Sequence, residues 1–187
     1  MSNQENVQPE LRQKANDILH RLSPAEREAL LVKCWISHDA RWFMTVAAEY
    51  DMQVVNRLNR TAAHEIGKVE AQRIVRALKL PPVTTMDDYL LTQEVLLGLV
   101  GPDLADYDVI KVSENAFEMR VRRCFAYDNA VRAGVADDYE CGVLARITGW
   151  PEALGLEYEI TPPLGKCLKV EGQECIHTFG FKGVTYC

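Results

Sequence analysis

The sequence lacks a basic tract, a long hydrophobic run, a hydrophobic leader and any Cys-x-x-Cys pair. Each absence excludes something. With 21 Lys and Arg against 27 Asp and Glu, a net charge of −6 and no cationic cluster, nucleic acid is not an expected partner, because phosphate binding needs clustered Lys and Arg. The longest apolar stretches, such as Val95-Leu96-Leu97, are a few residues long, whereas crossing a bilayer takes about 20. The polar start Met1-Ser2-Asn3-Gln4-Glu5-Asn6 offers no signal region. The expected location is therefore cytoplasmic, where thiols stay reduced and a disulfide framework is disfavoured. No internal repeat, low-complexity segment or heptad run is present.

What is there is a chain of 187 residues, 48% of them hydrophobic. That suits one domain, or a small core with a helical extension, able to bury about 70% of its unfolded surface. The first half has helical period. Leu11, Ala15, Ile18, Leu19 and Leu22 predict a short helix within residues 1–22, after a flexible start. Ser23-Pro24-Ala25-Glu26 is a capping box that opens a second helix running to about Tyr50. Asp51 caps a third reaching about Leu80, and Thr85 caps a fourth that ends near Gly101-Pro102. Beyond residue 105 the period becomes two. Phe117, Met119 and Val121 mark a strand with Asp108–Lys111 as its hairpin partner. Short helices are expected over Phe125–Ala133 and Asp137–Thr148, a strand around Tyr158, and a closing hairpin of Lys166–Val170 with Glu174–Phe181. The expected fold is α+β: a helical layer (23–103) packed on a mostly antiparallel sheet with short helices (104–187).

Two constellations carry chemistry. On the second helix, Leu31, Trp35, His38, Trp42 and Thr45 follow a three-four spacing, with Asp39 beside His38. A histidine and carboxylate held between tryptophans would sit in a low dielectric, which suits a general base or an oriented metal ligand. The alternative is a satisfied core histidine. On the third helix Asn56, Asn59, Ala63, Gly67 and Glu70 form a polar stripe that could face His38. Val55, Leu58, Ala62, Ile66 and Val69 read as that helix's core face, while His64, Lys68 and His20 read as exposed. Gly67 is expected to permit close helix approach.

The second constellation is thiol. Five of the six cysteines follow residue 123. Cys175 and His177 share one face of the last strand with Phe179 and Phe181, and Cys167 lies on its expected partner. Cys124 ends the earlier strand and Cys141 lies on a short helix. Together Cys124, Cys141, Cys167 and Cys175, with His177, could hold zinc or an iron–sulfur cluster. Cys124 could instead be a nucleophile activated by a helix N-terminus, or all could be core residues. Cys34 reads as packing, and Cys187 as a free terminus.

Cys124-Phe125-Ala126-Tyr127, Ala130-Val131-Arg132-Ala133-Gly134, Cys141 and Cys167…Cys175-x-His177-x-Phe179 carry a resemblance. The second half is similar to L-2-amino-thiazoline-4-carboxylic acid hydrolase-like proteins and to the 4-vinyl reductase-type small-molecule-binding domain. The first half resembles an uncharacterised family of cytosolic prokaryotic proteins, through Ser37-His38-Asp39-x-x-Trp42-Phe43 and Gly67-Lys68-x-Glu70-Ala71-x-Arg73-Ile74. The resemblance implies either a hydrolase opening a sulfur-containing ring or a ligand-binding module, sometimes with metal at its cysteines. His177 stands where those relatives carry an aromatic residue.

Two functions are therefore expected. One is a hydrolase-like enzyme for a small heterocycle or amide, with His38 as base, Asp39 or Glu70 orienting it, and Arg41, Trp42 and Asn59 binding the ligand. The other is a metal- or cluster-bearing binding module without catalysis. The aromatic stripe also leaves room for a homodimer.

Overall fold

The structure is a computed structural model that describes residues 8–100 and 104–182. Six helices are present, α1 (Gln8–Leu19), α2 (Pro24–Glu49), α3 (Met52–Leu78), α4 (Met86–Val100), α5 (Phe125–Arg132) and α6 (Gly142–Ala153). The strands are β1 (Ala105–Ser113), β2 (Ala116–Cys124), β3 (Glu157–Thr161) and β4 (Cys175–Lys182). All pair antiparallel in one sheet of order β1-β2-β4-β3, so the fold is α+β with helices first and sheet last. The expected stop at Gly101-Pro102, the polar start and Cys187 lie outside the described residues.

The chain forms two compact units, Met1–Thr45 and Val46–Cys187, dividing inside α2. In the first unit, Glu26 accepts from the backbone N–H and hydroxyl of Ser23 at 2.8 Å, and Ser23 Oγ accepts from the Glu26 N–H at 3.3 Å. This is the capping box that the sequence predicts. Arg27 ties the turn by donating to the Leu19 carbonyl at 2.8 Å. No side chain of α2 is buried, and Leu30, Leu31 and Trp42 are exposed.

In the second unit the inner sheet face is built from Phe117, Met119 and Val121 of β2 and His177, Phe179 and Phe181 of β4. Met86, Tyr89 and Leu96 of α4 and Leu144, Ile147 and Trp150 of α6 complete the core, with Ala71 and Ile74 of α3. Phe117 and Phe179 face each other across the β2–β4 pairing, their rings 4.8 Å apart and nearly parallel. Alternate residues of β2, such as Arg120 and Arg122, point to water and pair with acids; Arg122 bridges Asp106 and Asp108 of β1.

Helices α3 and α6 touch backbone to backbone. A Cβ on Gly67 would stand 2.0 Å from the Arg146 carbonyl oxygen, and one on Gly149 would stand 2.3 Å from the His64 carbonyl oxygen. The close approach expected at Gly67 is thus real. It also corrects the reading of α3. Leu58, Ala62 and Ile66, taken as its core face, are exposed, whereas Asn56 and Gly67 of the polar stripe are buried. Small residues let the partner's main chain in, and apolar count alone does not reveal that.

Three local readings also differ. Asp137 does not cap α6; it lies in a single 3-10 turn, Ala136–Asp138, and Cys141 is the cap. Gly149 does not end α6, which continues through Pro151 to Ala153. The stretch Lys166–Val170 is a series of turns holding one bridge, Lys166 to Glu140, and β4 pairs instead with β2 and β3.

Substituting Gly67→Ala should lower stability by at least about 2 kcal/mol, since its Cβ meets immovable backbone. Gly98→Ala, exposed inside α4 where a Cβ meets nothing, should instead add about 0.5–1 kcal/mol. Urea unfolding midpoints of the two variants test the contrast.

Candidate functional site

The first constellation stands in water. His38 and Asp39 side chains are 77% and 58% exposed, with His38 Nδ1 3.5 Å from Asp39 Oδ1. The low-dielectric setting expected for them is therefore corrected. Arg41 folds back along its own helix to donate to the Ser37 carbonyl at 3.0 Å, and Trp42 is exposed.

The polar stripe of α3 serves α6. Both carboxylate oxygens of Glu70 are taken by the Arg146 guanidinium, one at 2.7 Å, and both side chains are largely buried. Glu70 is thus committed to a bidentate pair rather than to orienting an imidazole. Asn59 lies against Gly142, where its Nδ2 would be 2.5 Å from an added Cβ. His64, expected to be exposed, is held between Thr148 Oγ1 at 3.2 Å and Glu152 at 2.7 Å, and Lys68 reaches Glu152 at 3.0 Å.

The second constellation lies on separate elements of the second unit. Cys124 closes β2 and stands at the N-cap of α5, where its side chain makes no capping hydrogen bond. Cys141 caps α6, its sulfur accepting from the Leu144 N–H at 3.4 Å. Cys167 is buried in the turn segment, and its N–H donates to the Tyr139 carbonyl at 3.1 Å. The Cys141 N–H donates to the Gly165 carbonyl at 2.9 Å, so residues 139–141 and 165–167 form a small ladder. Cys175 opens β4 opposite Val121.

Burial is the main influence on the Cys124, Cys141 and Cys175 thiols, and neighbouring sulfurs add to it. Burial pushes the Cys141 thiol up to about 12; the Leu144 N–H opposes this, and Cys124, Cys167 and Cys175 add to it. Burial likewise takes Cys175 up to about 11, with Cys124 and Cys167 adding and Lys169 opposing. Cys124 is raised mainly by burial, with the Tyr127 and Ala126 N–H groups opposing. Lys169 is anchored on the Arg122 carbonyl at 2.6 Å, 6.0 Å over the Tyr127 ring.

The set is not drawn tight around one point. Among the described residues no three His, Cys, Asp or Glu side chains are placed to hold a single metal ion. Four sulfurs about 2.3 Å from one zinc would require contraction. His177 stands at the next inward position of β4, opposite Met119, with Nδ1 buried and without a hydrogen-bond partner among the described residues.

Two residues of this site escaped the sequence reading of its chemistry. Tyr139 is buried, its hydroxyl accepts from the Gly142 N–H at 3.3 Å, and its phenol lies within electrostatic reach of Cys141, Cys124 and Cys167. Its spacing of two from Cys141 was the available signal. Asn56 belonged to the polar stripe, but nothing in the sequence paired it with a loop. Its Nδ2 donates to the Asp138 carbonyl at 2.6 Å and its Oδ1 accepts from the Glu140 N–H at 3.1 Å.

Burial holds the His177 imidazole down at about 4 against an ordinary 6.5. Between those values the unfolded chain binds more proton than the folded one. Its contribution to stability is therefore whole above pH 6.5 and lost as pH falls towards 4. His177→Phe should flatten that loss, seen as a smaller difference between urea midpoints at pH 7 and pH 5.

No curated protein matches the chain. Residues 22–150, from the end of the α1–α2 turn through Trp150, match the profile described as Family of unknown function (DUF6125). That span holds His38, Asp39, Glu70, Cys124 and Cys141 and stops before Cys167, Cys175 and His177. Covering more than half of its length, the match means that the chain belongs to the DUF6125 family.

Proposed function

We propose that the protein is a small-molecule-binding module that carries a thiol-ligated metal centre, an iron–sulfur cluster before a lone zinc, at Cys124, Cys141, Cys167 and Cys175. What supports this reading is that free thiols on separate elements, Cys124, Cys167 and Cys175, are near enough to Cys141 for each to add to the upward shift of its thiol. The Leu144 N–H donated to the Cys141 sulfur favours the thiolate, which is the ligand form, against the burial that raises this thiol. Soft thiolate sets suit thiophilic metals, and iron–sulfur clusters are held by cysteine thiolates. A reducing cytoplasm would keep such thiols available.

The hydrolase-like reading draws less support. It needs a base poised beside a reacting water and a positioned orienter. Here His38 and Asp39 are solvated, and Glu70 is occupied by Arg146.

Anaerobic purification followed by iron, sulfide and zinc analysis tests the proposal. About one cluster per chain is expected, lost in Cys124→Ser, Cys141→Ser, Cys167→Ser and Cys175→Ser and retained in Cys34→Ser, whose side chain is exposed. Metal-free protein, or metal that survives the four substitutions, would overturn it.

A further inference from the structure

Four side chains of the core hold polar atoms that are sealed from water and have no hydrogen-bond partner among the described residues. They are the Tyr89 hydroxyl, both ends of the Gln93 amide, Trp150 Nε1 and His177 Nδ1. Tyr89 and Trp150 are 1% exposed, Gln93 is 0% and His177 is 5%. Leaving one such group unpaired costs about 1–3 kcal/mol, so together they weigh about as much as the whole net stability of a typical domain. A native core rarely keeps such groups without a reason.

Tyr89 and Gln93 lie on α4, His177 on β4 and Trp150 on α6. The Tyr89 ring meets Phe181 edge-on at 4.7 Å and lies tilted 5.6 Å from Phe117, at one end of the inner sheet face. Helix α4 then runs towards the other end, because the short link from Val100 leads to Ala105, which pairs with Cys124. Gln93 is one turn on from Tyr89, about 6 Å along the axis. The next row of the sheet, Met119 opposite His177, is about 7 Å on from the row of Phe117 and Phe179. One turn of helix therefore carries Gln93 towards His177, and the next inward position of β4 after His177 is Cys175. Trp150 enters the same core from α6.

The chemistry of the lining is specific. Tyr89, Phe117, Phe179, Phe181 and Trp150 present flat apolar faces. No Asp, Glu, Lys or Arg is buried among them, so nothing would balance a charge on an occupant. The orphaned groups include fixed donors, such as the indole N–H, and a carbonyl acceptor.

We propose that the inner sheet face beneath α4 is a binding site for a small, neutral, planar molecule with both donor and acceptor edges, a heterocycle or aromatic amide, read by Gln93 and His177 and flanked by Tyr89 and Trp150. The inference rests on the small-molecule half of the reading above and does not require its metal. The site is closed in the free chain, and the ligand opens it by lifting α4 from the sheet, exchanging unpaired polar groups for paired ones.

The test uses nicotinamide, uracil and theophylline as probes with the full chain, and benzoate as a charged control. At least one neutral probe should raise the melting temperature saturably, while benzoate should not. Gln93→Leu keeps the volume and removes both amide ends, so it should fold with equal or greater stability yet bind that probe at least about tenfold more weakly. His177→Phe should weaken it as well. The proposal is overturned if no neutral probe binds at millimolar concentration, if benzoate binds as well, or if Gln93→Leu binds unchanged. Metal content of the same samples separates the two readings. Probe binding by metal-free protein removes the metal centre and keeps this site; a full metal complement with no probe binding does the reverse.

Discussion

The contact of α3 with α6 is the constraint on which the second unit depends. Gly67 and Gly149 remove the side chains that would hold the helices apart, and each helical glycine costs about 1 kcal/mol in propensity relative to alanine. The approach they permit lets the polar stripe of α3 reach across. Asn56 then clamps 138–140, Asn59 meets Gly142, and Glu70 takes Arg146. Each of these fixes the start of α6, and the start of α6 is Cys141. The thiol set is thus a product of helix packing some way from any sulfur.

The electrostatics of that set run in opposite directions. Burial and neighbouring sulfurs favour the protonated thiols, whereas N–H groups at two helix starts and the ammonium of Lys169 favour thiolates. His177 stands apart from this balance as a neutral imidazole in an uncharged core.

Much of the fold is legible in the sequence because its signals are local. Capping residues at Ser23, Asp51 and Thr85 open α2, α3 and α4 by the side-chain bonds that their residue types imply. The alternation around Phe117 and Phe179 places both strands. What stayed hidden is non-local. A cysteine is not an ordinary N-cap, so the start of α6 was misplaced at Asp137. Gly149 looked like a stop because glycine commonly ends a helix, yet here it is a contact surface. The packed face of α3 includes Val55 from its expected core face but also Asn56 and Gly67, which no hydrophobicity count selects. The gathering of Cys124, Cys141, Cys167 and Cys175 was readable as a possibility from type and clustering. Tyr139 was not, because its place depends on a bridge between segments 26 residues apart, Glu140 with Lys166.

The strand order has a consequence for how the protein comes into being. Strand β4 is the last of the described elements but lies in the middle of the sheet, between β2 and β3. On the ribosome, the β1–β2 hairpin and β3 must each wait with an open edge until residues 175–182 have emerged, and pairing β2 with β4 closes a long loop. The insertion that completes the sheet also delivers Cys175 and His177 to their places. Maturation of the interior therefore waits for β4, and a chain stalled before β4 would carry sticky strand edges rather than a closed sheet.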